Sequence, residues 1–215
     1  MMRVSLFLAA LAALVMSSRP AAARELELSA GSGVLEAGSA SMDAVTDDDL
    51  IATAALRLAV GLPELGPVFA EVAWRVGSTE ANDFGELDSK LQLQDLEAAL
   101  RIERALARRL RVFARAGGAI TFGSLEITSN TSILSDDTRT VTGLLGAGVD
   151  VSVIQARGLQ LGLRVEAGLR SSGALAFHPT RDLGTDDARI RTQGPDLGAM
   201  DPSGLTAGFT IFARF

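Results

Sequence analysis

Apolar residues recur at every second position through most of this chain, the period of a β-strand with two unlike faces. The cleanest case is "GLQLGLRVEAGLRS". Leu159, Leu161, Leu163, Val165, Ala167 and Leu169 share one face, and Gln160, Gly162, Arg164, Glu166, Gly168 and Arg170 share the other. "TVTGLLGAGVDVSVI" sets Val141, Leu145, Ala147, Val149, Val151 and Val153 against Thr142, Gly146, Gly148, Asp150 and Ser152. "PVFAEVAWRVG" sets Val68, Ala70, Val72, Trp74 and Val76 against Phe69, Glu71, Arg75 and Gly77. "LIATAALRLAVGL" opposes its aliphatic face to Thr53, Arg57 and Gly61. "RLRVFARAGGAITF" opposes Leu110, Val112, Ala114, Ala116, Ile120 and Phe122 to Arg109, Arg111, Arg115 and Thr121.

Two further segments are less clear. "ELELSAGSGVLE" places Leu26, Leu28, Ala30 and Val34 opposite Glu25, Glu27 and Gly31. "LQDLEAALRIERALARR" is rich in helix formers. At period two it sets Leu96, Ala98, Leu100 and Ile102 against Asp95, Glu97, Arg101 and Glu103. A strand is preferred there, because the flanking strands need a partner and propensity yields to context. The eighth segment, "SGLTAGFTIFARF", brings the chain to Phe215.

The connections alternate in length. "PELG", "LAR" and "QARG" are short; approximately residues 37–48, 78–90, 124–138 and 172–202 are long and polar. This predicts an all-β fold: an eight-stranded antiparallel up-and-down β-barrel, with short turns and both termini at one end and long loops at the other. The last strand should close on the first.

Alternation alone does not say which face meets water. A soluble barrel turns its apolar face inward; a transmembrane barrel turns it to lipid around a polar interior. The polar face here carries many glycines, among them Gly61, Gly77, Gly117, Gly146, Gly148, Gly162, Gly168, Gly204 and Gly208. On a water-facing strand they weaken the sheet, whereas in a narrow barrel they leave room for arginines. Segregation of loops by length also favours the transmembrane form.

The start of the chain agrees. "MMRVSLFLAALAALVMSSRPAAAR" has Arg3, an apolar run from Val4 to Met16, and a small-residue stretch with Ala21 and Ala23 at cleavage-site spacing. Residues 1–23 therefore read as a cleavable signal peptide and 24–215 as the barrel. Loss of Arg3 and Arg19 moves the formal charge from -6 to -8. That acidic balance argues against a nucleic-acid partner. There is no cysteine, hence no disulfide.

On these residues the chain resembles the small eight-stranded outer-membrane barrels of the OmpA/OmpX type. In that class a last strand that ends in Phe, with apolar residues at alternate positions, is the signal read by the barrel-assembly machinery. Phe209, Ile211 and Phe215 match, and Ala213 departs from the usual aromatic. The resemblance implies a bacterial outer membrane, with lipid and lipopolysaccharide around the wall, periplasmic termini, external long loops, and a monomer. Aromatic girdles would be partial, drawn from Trp74, Phe122, Phe209 and Phe215.

Across the short turns, opposite charges should meet in the lumen: Arg57 with Glu71, Glu97 with Arg115, Glu103 with Arg109 or Arg111, and Asp150 with Arg164, Glu166 lying diagonal. With Arg75, Arg101 and Arg170 these form a candidate Arg–carboxylate network that plugs the barrel, since an unpaired buried charge is costly. The expected role is structural, in the envelope, or one of surface interaction. The alternatives are a small pore for water-soluble solutes and a soluble exported carrier with an apolar interior. No enzyme is expected. His178, the one histidine, is followed in "FHPTRD" by Pro179 and Thr180, not by a serine at the second position. The acidic loops, with Asp47, Asp48, Asp49, Glu80, Asp83, Glu86, Asp88, Asp136, Asp137, Asp182, Asp186 and Asp187, read as solvated, so no metal or cofactor is expected. No Lys-Ser/Thr follows "GAGVD" or "GGAITFG" to make a phosphate loop.

Overall fold

In the computed structural model, residues 25–38, 50–83, 87–129, 132–178, 180–181 and 199–215 are described. The proposed signal peptide, with Ala21 and Ala23, lies outside them. The strands are β1 (Leu26–Ala37), β2 (Leu50–Gly61), β3 (Val68–Asp83), β4 (Leu87–Ala107), β5 (Leu110–Ser129), β6 (Ser132–Ala156), β7 (Leu159–Ser172), β8 (Leu175–Ala176), β9 (Thr180–Arg181), β10 (Ala199–Met200) and β11 (Gly204–Arg214). β1 to β7 and β11 are the staves. Each pairs antiparallel with its neighbour, β5 joins β6, and β11 closes on β1 and β7. The fold is an eight-stranded antiparallel up-and-down barrel. "LQDLEAALRIERALARR" is part of β4, its helix propensity overridden by two flanking ladders.

The registers fix the stagger. Residues paired across successive strands run Leu26, Val60, Ala70, Leu100, Ala116, Leu145, Leu169, Leu205 and then Glu36, back on β1 ten residues further along. Such a stagger tilts the strands by roughly 35–45° and leaves an interior just wide enough for side chains. The chain end is stitched into the wall: Phe215 N–H donates to Leu26 O at 2.8 Å, and Leu26 N–H to Phe215 O at 3.1 Å.

Two of the expected long loops are mostly ladder. β3 and β4 stay paired up to Asp83 and Leu87, and β5 and β6 up to Ser129 and Ser132. Residues 78–90 and 124–138 lose the apolar alternation, but backbone pairing does not need apolar side chains. Four strands thus rise beyond the rest of the barrel. The short turns agree with the reading: Pro63–Leu65 forms a 3₁₀ turn between β2 and β3, and Gly158 takes φ 73° between β6 and β7.

Face polarity inverts along the staves. Through most of the barrel the outward residues are apolar and exposed, with Val141 at 74% and Ile102 at 59%, while Arg101 and Arg164, facing inward, are at 0%. Toward the long-loop end the order reverses. On β4, Leu91 and Leu93 turn inward and Gln92 and Gln94 outward; two residues on, Asp95 is inside and Leu96 outside. β5 repeats this with Leu125 inside and Glu126 outside, and β1 with Leu35 inside and Glu36 outside. The inward apolar residues Leu35, Ala37, Ile51, Leu91, Leu93 and Leu125 join Leu175, Phe177 and Met200, from the connection between β7 and β11, in one buried cluster. The described ends of that connection lie at the barrel mouth, where β8 pairs with β10 and β9 with β6.

The loop-end cluster should therefore behave as an ordinary hydrophobic core. Leu125→Ala is expected to lower unfolding stability by about 2–5 kcal/mol, measured by urea titration. Leu145→Ala, on the outward face of β6, should cost less than half as much.

Candidate functional site

The lumen holds the charges that the outward face lacks. Its inward, buried or nearly buried carboxylates are Glu27, Glu71, Asp95, Glu97, Glu103, Asp150 and Glu166. Its arginines are Arg57, Arg75, Arg101, Arg115, Arg164, Arg170 and Arg214. Seven of each sign stand among the described residues. All twelve residues of the expected network point into this space, Arg111 at its short-turn mouth.

At the short-turn end, Arg101, Arg164 and Arg214 alternate with three phenylalanines. Arg101 stacks on Phe69 (4.8 Å to the ring centre) and Phe113 (5.8 Å), Arg164 on Phe113 (4.8 Å) and Phe212 (5.4 Å), and Arg214 on Phe212 (5.6 Å) and Phe69 (4.8 Å). The six side chains form a closed ring of cation–π contacts. Inside it, Glu27, Glu103 and Asp150 bring carboxylate oxygens within 4.8 Å of one another. That spacing suits a cation, and guanidinium groups already meet it. Arg101 donates to Glu27 at 2.8 and 3.0 Å, Arg164 donates two bonds of 2.7 Å to Asp150, and Arg214 donates to Glu27 and Glu103 at 3.0 Å. Arg101 also lies 3.1 Å from Glu103, and Arg164 3.0 Å from Glu27.

Above this ring, Glu71 lies 2.9 Å from Arg101 and 3.8 Å from Arg115. Glu97 bridges Arg75 at 2.8 Å and Arg115 at 3.2 Å. Arg57 forks onto Glu166 at 3.1 and 3.2 Å, and Arg115 lies 3.5 Å from the same carboxylate. Higher still, Arg170 and Thr121 both donate to Asp95, and Thr121, Thr142 and Ser172 form a hydroxyl chain at 2.7 and 2.8 Å. The apolar cluster caps this layer.

The hairpin pairs divide into those set by adjacency and those set by the lumen. Glu97 meets Arg115, Glu103 meets Arg111 at 3.4 Å, and Asp150 faces Arg164 directly in register. Arg57 does not bond Glu71. Register places it opposite Ala73, with Glu71 opposite Ala59; the stagger directs Arg57 across the lumen to Glu166 on β7, while Glu71 turns to its diagonal neighbour Arg101 on the adjacent β4. Arg109 lies in the turn, exposed. Sequence reasoning left Glu27, Asp95, Arg214 and Phe113 out of the network. Each has the inward parity of its strand, which is the signal that would have added them.

Links between distant staves cross the lumen. Arg214 to Glu103 joins β11 to β4 on the opposite side, Arg101 to Glu27 joins β4 to β1, and Arg170 to Asp95 joins β7 to β4. This charged interior is not the apolar cavity expected of a carrier; its aliphatic cluster lies in the loop-end cap, and the phenylalanines at the short-turn end are stacked against arginines.

The remaining candidates lie elsewhere. Phe209 and Ile211 are outward and exposed on β11, Phe215 is exposed just past its end, and Trp74 and Phe122 are exposed on β3 and β5. His178 is exposed, and its backbone N–H donates to Asp136 at 2.6 Å. Asp136 also accepts from Asp137 N–H at 2.9 Å, so it organises local backbone. Glu80 pairs with Lys90, and that hydrogen bond holds the ammonium pKa above its ordinary value. Asp47, Asp48, Asp49, Glu86, Asp182, Asp186 and Asp187 lie outside the described residues.

Because every lumen charge is matched, removing one partner should cost more than removing two. Arg164→Met is expected to destabilise by about 3–5 kcal/mol. Combining it with Asp150→Leu should recover part of that loss in a double-mutant cycle of urea unfolding.

No protein-family model matches the sequence, and no curated protein matches it. Several solved structures are similar to it in fold. For Neisserial surface protein A the identity is 8% and the TM-score 0.47, covering 89% of this chain and 94% of that one. For Ail, the attachment invasion locus protein of Yersinia pestis, the values are 10% and 0.44, covering 89% and 97%. For a major outer membrane protein from Thermus thermophilus they are 14% and 0.49, covering 90% and 99%. These three are what the chain is similar to; its own architecture, read from its own registers, is an eight-stranded antiparallel barrel.

Proposed function

We propose that this chain is a bacterial outer-membrane barrel with a closed lumen, acting in the envelope as a structural or surface-interaction protein. The inversion of polarity carries the reading. A wall of exposed aliphatic side chains around a buried, charge-balanced interior is stable in lipid and unfavourable in water. The ring of staves leaves no unpaired edge in the apolar zone. Termini and short turns share one end, which supports periplasmic termini and external long loops. The partners on this reading are outer-membrane lipid and lipopolysaccharide, with the assembly machinery reading Phe209, Ile211 and Phe215, and the barrel is a monomer.

The part of the molecule suited to surface interaction is the raised wall of β3 to β6. Its outward face is polar, with Glu80, Lys90, Gln92, Gln94, Glu126, Asp137 and Arg139. Among the described residues, Thr79 to Asp83 pair with β4 alone, so one strand edge of this wall has backbone groups to offer.

The pore is the alternative, and conductance separates the two. Purified protein in a planar bilayer is expected to give no large, steady open level; a steady conductance would sink the closed-lumen reading. Recovery in the membrane fraction, with heat-modifiable gel mobility, tests the barrel itself.

A further inference from the structure

Outside the neutral lumen, exposed charges of both signs occur at each end, Arg139 toward the long loops and Glu25 and Glu64 at the short-turn end, but two neighbouring hairpins carry one sign alone. Exposed carboxylates gather toward the long loops: Glu36, Glu80, Asp88, Glu126 and Asp137. At the short-turn end, two hairpins expose only arginines: Arg104, Arg108 and Arg109 near the β4–β5 turn, and Arg157 in the β6–β7 turn. The hairpins are held side by side. Ser152 N–H donates to Arg109 O at 2.8 Å, and the Gln155 side chain to Arg108 O at 3.2 Å.

A second observation says what these arginines face. Each hairpin carries a β-bulge just before its turn, between Ala105 and Ala107 on β4 and between Ser152 and Ile154 on β6. Bulges re-aim side chains. Here they accompany exposed Leu106 beside Arg104 and Arg108, and exposed Val153 and Ile154 beside Arg157. Arg104 itself continues the outward row of Leu100 and Ile102. Apolar and cationic groups therefore alternate on the outer circumference, which a soluble protein docking on the barrel's end would not cover.

We propose that this rim binds the phosphates of anionic phospholipid headgroups in the leaflet on the terminus side. The inference rests on the membrane reading above. Leu106, Val153 and Ile154 sit in the acyl region, and the arginine stems run along it to place their guanidinium groups among the headgroups. Arginine suits this better than lysine because its planar fork takes two phosphate oxygens at once.

The test uses the folded barrel in phosphatidylcholine vesicles, with spin-labelled phosphatidylglycerol or spin-labelled phosphatidylcholine as probe. The immobilised fraction of each gives their relative association. A preference for phosphatidylglycerol of at least about fivefold is expected, what one basic contact at an anionic surface gives. It should weaken as salt is raised, a readout that needs no variant. It should fall toward unity in R104Q/R108Q/R109Q/R157Q, checked for folding by heat-modifiable mobility. R139Q, at the loop end, should leave it intact. Equal association of both probes with the unaltered protein overturns the proposal, as does a preference that survives the fourfold variant or is lost in R139Q. A chain that stays out of the vesicles altogether overturns the membrane reading as well; one that inserts without preference overturns the lipid site alone.

Discussion

An ionised group removed from water must meet its counter-charge, and this barrel is organised around that demand. Eight tilted staves enclose a space about as wide as two side chains, and fourteen charged groups share it. Neutrality comes from arginine alone. A guanidinium can bond carboxylates along its edges while its faces lie on aromatic rings, as Arg101, Arg164 and Arg214 do between Phe69, Phe113 and Phe212. An ammonium has no such faces, and the chain's one lysine, Lys90, lies on the raised wall outside. Glycine completes the arrangement. A Cβ at Gly148 would overlap the Phe113 ring and the Val165 carbonyl, and one at Gly162 the Phe212 ring. Two of the aromatic plates can lie flat against the wall only because those positions are bare.

One strand here carries two opposite patterns. β4 puts charge inside and leucine outside over half its length, then leucine inside and glutamine outside over the rest, without breaking its ladder. The inversion marks where the apolar outer face ends, and it explains how the two described ends of the β7–β11 connection find a seat. Above the inversion the lumen is apolar, so Leu175, Phe177 and Met200 can pack there.

Much of this could be read from the amino acids. Period two assigns each inward residue its face, including Glu27 and Arg214, because side-chain parity does not depend on knowing the neighbour. Pairs on adjacent strands joined by tight turns, such as Asp150 with Arg164, follow from local register. Contacts across the lumen do not. Arg57 reaching Glu166, or Arg214 reaching Glu103, depends on a stagger that accumulates over every pairing in the ring. Residues 78–90 and 124–138 misled for another reason: apolar periodicity reports what a strand faces, and this raised wall, lined inside by small Ala81 and Ser89 and outside by Glu80 and Asp88, need not show it.

Arg214 ties the closing of the wall to the charge of the interior. It lies on the last stave, beside Phe212, and bonds Glu27 on the first stave and Glu103 on the far side. A sheet lacking that strand would hold the seven carboxylates against six arginines, and the ring of three arginines and three phenylalanines would lack Arg214 and Phe212. Completion of the wall and neutralisation of the interior are thus a single event. An unfinished barrel differs from a finished one in net interior charge, and the energetic drive to seat the final strand includes relief of that imbalance as well as backbone pairing.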